Sequence, residues 1–88
     1  MDKEDEEGIL AGLREAVDDI KARRAAKVKA IRAKTQLSQP AFAARYHLSV
    51  RTVQNWESGK SIDGVGQTLL KLIDRDPSLV DKMLNGPA

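Results

Sequence analysis

Apolar residues recur at steps of three and four along most of this chain, the spacing that lines one face of an α-helix. Ile9, Leu10, Leu13, Val17 and Ile20 predict an amphipathic helix over 9–22, and Val28 and Ile31 a second over 25–34. Ser38 is a good N-cap for a helix over 39–46, where Pro40 fits the first turn and Phe42, Ala43 and Tyr46 form the buried side. After a turn at His47 and Leu48, Ser49 caps a helix over 49–57, whose Val53 and Trp56 point inward. Gly59 breaks the chain and is free to take positive φ. A helix over 64–74 presents Val65, Leu69, Leu72 and Ile73, with Gly66 weakening it by about 1 kcal/mol relative to alanine. Asp76 caps a last helix that Pro77 opens, carrying Leu79, Val80, Met83 and Leu84 until Asn85-Gly86-Pro87 stops it. No alternating apolar pattern predicts a strand. The expected fold is all-α, a domain of five or six helices.

Composition narrows the picture. The chain has 88 residues, enough for one core, and a single Phe, Tyr and Trp, so the core rests on aliphatic side chains. Cysteine is absent and His47 is the lone histidine, so no disulfide, thiolate or zinc site is expected, and a reducing cytoplasm suits the chain. No run approaches the roughly 18 apolar residues of a membrane span. No membrane role, catalytic residue, metal or cofactor is expected: no Gly-rich phosphate loop is present, and the five serines have only His47 as a base.

The net charge of +2 hides an asymmetry. Residues 1–24 carry five Lys/Arg against eight Asp/Glu, or −3; residues 25–88 carry ten against five, or +5. Residues 1–7, almost continuous charge, are expected to be disordered. The chain divides into an acidic arm (1–24), a basic helix-turn-helix domain (25–75) and a C-terminal helix (76–88).

Two short helices over 39–46 and 49–57, joined by a tight turn, have helix-turn-helix spacing. Spacing alone is weak, because helical hairpins occur in many proteins that never meet DNA. The side chains strengthen it. With Val53 and Trp56 inward, the second helix turns Val50, Arg51, Thr52, Gln54 and Asn55 toward solvent, with no acid before Glu57. Arginine pairs with guanine O6 and N7, asparagine or glutamine with adenine, and valine meets a thymine methyl. Gln39 at a helix start, and Lys60 and Ser61 with the amides of the Gly59 loop, supply phosphate contacts. Lys34 and Arg45 are further candidates.

The stretch VKAIRAKTQLSQPAFAARYHLSVRTVQNWESGKS resembles the xenobiotic-response-element-type helix-turn-helix domain of phage repressors and Cro proteins, a lambda-repressor-like fold. The resemblance spans residues 28–75. It implies base contacts at Ser49, Val50, Arg51 and Asn55, and phosphate contacts at Gln39 and Lys60, to which Thr52 and Ser61 are added. It also implies a buried ion pair between Arg32 and Glu57. Two positions depart from the pattern: His47 stands where glycine is usual, and Ala41 where an acid completes a capping box. The flanking ILAGLREAVDDIKA and LLKLIDRDPSLVDKML look like the HigA-type antitoxins, which repress their own operon and neutralise a ribonuclease toxin.

The expected function is a sequence-specific repressor of double-stranded operator DNA, acting as a homodimer and as the antitoxin of its operon. The alternative is an interaction module whose residues 1–24 bind a toxin, with DNA binding secondary. The C-terminal stripe either completes the monomer core or forms the dimer contact. The N-terminal helix packs on its own domain, pairs across a dimer, or binds a basic partner.

Overall fold

The computed structural model describes residues 3–86, with side chains from Leu13 onward. Five helices follow in order: α1 (Lys3–Thr35), α2 (Gln39–Arg45), α3 (Val50–Glu57), α4 (Gly64–Arg75) and α5 (Pro77–Asn85). The described residues contain no strand.

The two helices expected over 9–22 and 25–34 are one helix of 33 residues. Ala22, Arg23, Arg24, Ala25 and Ala26 are good helix formers, with no cap or breaker to end a helix among them. The expectation of disorder over 1–7 is corrected for residues 3–7, which belong to α1; Met1 and Asp2 lie outside the described residues. At 1.5 Å per residue α1 is about 50 Å long, which gives the molecule its 66 × 20 × 19 Å extents.

Only the C-terminal part of α1 joins the globule. Val28 and Ile31 pack with Phe42, Ala43 and Tyr46 of α2 and its cap, Val53 and Trp56 of α3, Leu70 and Ile73 of α4, and Val80 of α5. Each fully buried large side chain contributes about 1.5–3 kcal/mol, so this one cluster holds all five helices. Phe42 and Tyr46 are tilted against each other, ring centroids 4.9 Å apart. The Tyr46 hydroxyl donates to the Pro77 carbonyl at 3.1 Å, tying α2 to the start of α5.

The stripe of α4 differs from expectation, and that of α5 does not complete the monomer core. Leu70 and Ile73 are buried, whereas Val65 is 80% and Leu72 52% exposed. On α5 only Val80 is buried; Leu79, Met83 and Leu84 face outward. The inward face of α4 therefore passes through Leu70, and Val65 sits in the first turn beyond the core.

Gly66 reverses its expected role. A Cβ at this position would lie 2.8 Å from the Trp56 ring, 2.9 Å from the Ile62 side chain and 2.7 Å from the capping Asp63 carboxylate. Glycine lets α4 press against Trp56. Gly66→Ala is therefore expected to destabilise the protein by about 1–3 kcal/mol, overpacking outweighing a propensity gain of about 1 kcal/mol. A thermal or urea melt showing unchanged or raised stability would contradict that contact.

Candidate nucleic-acid interface

The turn between α2 and α3 is built by local chemistry. Ser38 Oγ accepts the Ala41 amide at 3.3 Å to start α2. His47 takes φ 58°, the left-handed conformation the turn needs, and the Leu48 amide returns to the Ala43 carbonyl at 2.8 Å. The His47 ring is anchored: Nε2–H donates to Asn85 Oδ1 at 2.9 Å, while Asn85 Nδ2 donates to the Arg45 carbonyl and Asp81. Thus α5 braces the turn from behind. Gln36 also takes positive φ, 60°, where α1 gives way to α2; its sequence offered no glycine or asparagine to mark the spot.

Ser49 caps α3, its Oγ accepting the Thr52 amide at 3.0 Å. The two hydroxyls, Ser49 Oγ and Thr52 Oγ1, are 2.8 Å apart. Since one donates to the other, one hydroxyl proton of the pair stays free for an outside acceptor. Val53, Trp56 and Glu57 are buried. With about 100° between successive residues, the opposite face centres on Arg51 and Asn55, flanked by Gln54 and Thr52. Arg51 and Gln54 are exposed, Asn55 and Thr52 half-buried. Arg51 has no ion-pair partner among the described residues. Val50 is half-buried and packs against the core, so only part of it is left for an outside surface.

Thr52, Asn55, Lys60 and Ser61 come together along one groove of about 540 Å³ between α3 and the start of α4, floored by Trp56 and Leu69. Asp63 also lines it, but its Oδ1 accepts the Gly66 amide as the cap of α4. Lys60 and Ser61 are exposed. The loop amides expected to hold a phosphate are engaged: Gly59 N–H donates to the Trp56 carbonyl and Lys60 N–H to the Asn55 carbonyl. Gly59 is buried at φ 93°, and a Cβ there would meet the Lys21 backbone of α1 at 2.9 Å. That loop is a structural corner, which leaves the Lys60 and Ser61 side chains as its outward groups.

Two further phosphate candidates lie beside carboxylates on the surface. Lys34 Nζ pairs with the Asp74 carboxylate, and Arg45 lies 3.7 Å from Asp81. At the start of α2, Pro40 has no amide proton and Ala41 serves the Ser38 cap. Gln39 is half-buried beside Glu57, where its side-chain amide helps keep that carboxylate charged.

Arg32 and Glu57 join α1 to the end of α3. Arg32 Nε donates to Glu57 Oε2 at 2.8 Å and Nη2 to Oε1 at 2.9 Å, a two-pronged pair; Nη1 donates to the Leu37 carbonyl at 3.0 Å. The Glu57 side chain is 3% exposed, that of Arg32 24%. The hydrogen bonds from Arg32 hold the Glu57 carboxyl below the usual carboxylate range against the opposing pull of burial. The same bonds raise the Arg32 guanidinium.

Gln54 is on the solvent face that the sequence predicts but is absent from the base contacts that the resemblance implies. It is exposed beside Arg51 on the outward face of α3, and the helical step from Val53 was the signal for it.

The chain is similar to Antitoxin HigA-2 of Vibrio cholerae serotype O1, 42% identical over 52 residues, which cover 58% of this chain. The match covers 50% of that protein, so the chain spans half the length of this curated relative. The likeness supports the HigA-type branch of the resemblance. No family model matches the chain, and no solved structure matches it.

Proposed function

We propose, from that partial likeness and the geometry of α3, that the protein is a sequence-specific DNA-binding repressor serving as the antitoxin of a toxin–antitoxin operon. One observation carries the reading: a short helix on a braced turn presents Arg51, Gln54 and Asn55 outward, with its one acid turned inward and neutralised by Arg32. Such a face lies in the major groove and reads base edges. Arg51 and Asn55 take the central contacts, while Ser49 and the free part of Val50 work at the N-terminal end. Gln39, Thr52, Lys60 and Ser61 fix the register on the phosphates.

Lys34 and Arg45 face carboxylates, so this reading leaves the phosphate charge contact to Lys60 and a shallow salt dependence is expected. Lys60→Ala is expected to weaken all duplexes equally and to reduce the salt slope by about 1 per bound copy. Gln39→Ala, which removes no charge, weakens binding with the slope unchanged. Fluorescence anisotropy across a salt series tests both; a Lys60→Ala protein with an unaltered slope would remove that residue from the phosphate set.

A homodimer is part of this reading. Two exposed apolar surfaces are open to a second copy: Leu79, Met83 and Leu84 on α5, and Leu13, Val17 and Ile20 on α1. The exposed α1 stripe also favours the partner reading, in which residues 1–24 grip a toxin in the cytoplasm. Deleting residues 1–22 leaves α3 intact, so it should spare recognition of a half-site and abolish neutralisation of a co-expressed toxin. Retained neutralisation would place the toxin contact elsewhere.

A further inference from the structure

Along α1, Leu13, Val17, Ile20, Arg24 and Lys27 are separated by four, three, four and three residues, the spacing of a coiled-coil seam. In the first half of this seam no other described helix packs over the apolar groups: Leu13 is 58%, Val17 48% and Ile20 55% exposed. In the second half, Arg24, Lys27 and Lys71 line a groove between α1 and α4 of about 480 Å³ together with Ile62 and Leu70; Asp74 also lines it, its carboxylate paired with Lys34. The charge along α1 is polarised in the same sense. Residues 1–20 carry two Lys/Arg and eight Asp/Glu, or −6; residues 21–35 carry seven Lys/Arg and no acid, or +7.

We infer that α1 pairs antiparallel with α1 of a second copy, the acidic end of each helix lying along the basic groove of the other. The seam fixes the register. With the two-fold axis between Asp18 and Asp19, Val17 packs on Ile20 of the second copy, and Leu13 lies under the aliphatic stem of its Arg24. The same register sets residues 4–7 opposite residues 33–30, so Glu7 lies about one turn beyond Lys27 along the basic half of the second α1. Parallel pairing would set −6 against −6 and +7 against +7, so polarity selects the antiparallel arrangement. Its own groove is out of reach of the acidic end, because about 30 Å of straight helix separates residue 7 from residue 27. Where residues 1–24 also grip a toxin, as proposed above, toxin and second copy compete for one stripe. The pairing itself does not rest on that reading or on DNA binding.

The test is the solution mass of the full chain by light scattering, without DNA. Val17→Glu with Ile20→Glu should halve the mass and leave helical circular dichroism unchanged, since both side chains are exposed and glutamate is a good helix former. Leu79→Glu with Met83→Glu should leave the mass as it was. A monomeric parent, or a mass lost only with the α5 variant, overturns the proposal. Because the chain has no cysteine, orientation is tested directly. Mixing Val17→Cys and Ile20→Cys chains should give the mixed disulfide, whereas each variant linking only to itself would show parallel pairing and overturn the antiparallel arrangement.

Discussion

Arg32→Ala is expected to cost about 3–5 kcal/mol of folding stability, more than Glu57→Ala, although both remove the same ion pair. The difference lies in what each leaves behind. Without Arg32, a carboxylate whose side chain is only 3% exposed stays in the protein with its main cation gone. Without Glu57, the guanidinium keeps its bond to the Leu37 carbonyl and a quarter of its surface in water, so the loss is about 1–3 kcal/mol. The pH dependence separates the cases further. In the parent, the Glu57 pKa lies below its unfolded value of about 4.3 because Arg32 binds the charged form. The pair's contribution is therefore complete above that value and fades as pH falls through the depressed folded pKa. In Arg32→Ala the hydrogen bonds are gone and burial raises the pKa, so protonation relieves the protein. The deficit of the variant against the parent should shrink as pH drops from 7 toward 4. A deficit constant across that range, measured by urea unfolding, would mean that Glu57 is not the group left uncompensated.

Arg51→Ala is the second large effect, and it falls on recognition alone. The side chain is exposed and has no ion-pair partner among the described residues, so its removal should leave the melting temperature within about 1–2 °C. On the preferred site the loss is about 1–3 kcal/mol, with preference relaxed at one base pair. Asn55→Ala should act in the same way at a neighbouring pair. The contrast with Lys60 is diagnostic, since a phosphate contact lowers every duplex alike and a base contact lowers one sequence. If Arg51→Ala left affinity and preference unchanged, α3 would not lie in the groove in this orientation.

What could be read from the sequence, and what could not, follows the range of the interactions. Ser38, Ser49 and Asp76 cap helices through bonds spanning three residues, and the local sequence suffices to place them. The core side chains of α2 and α3 were likewise legible, because a short helix with one apolar face has little choice of orientation. The expected break in α1 falls at the basic cluster Lys21, Arg23 and Arg24, which suits a helix C-terminus, but such a cluster does not terminate a helix when the residues across it favour helix. Gly66 was misread because its value lies in a distant neighbour: the cost of glycine is local, whereas the approach to Trp56 is tertiary. The loop amides at Gly59 and Lys60 failed as anion ligands for the related reason that α3 itself claims them through Trp56 and Asn55. The engagement of Lys34 by Asp74 and Arg45 by Asp81 also joins residues about 40 apart in the chain. Pattern reading therefore identified the helix that faces outward better than it identified which cations remain free around it.

The central claim is that α3 reads a DNA sequence, and the most direct test is selection of bound sites from a randomised duplex library at near-physiological salt. The account predicts enrichment of an inverted repeat with half-sites about one helical turn apart, with Arg51→Ala losing preference at one pair in each half. Binding without enrichment, seen only at low salt, would contradict it and leave the helix-turn-helix as a scaffold for a protein partner.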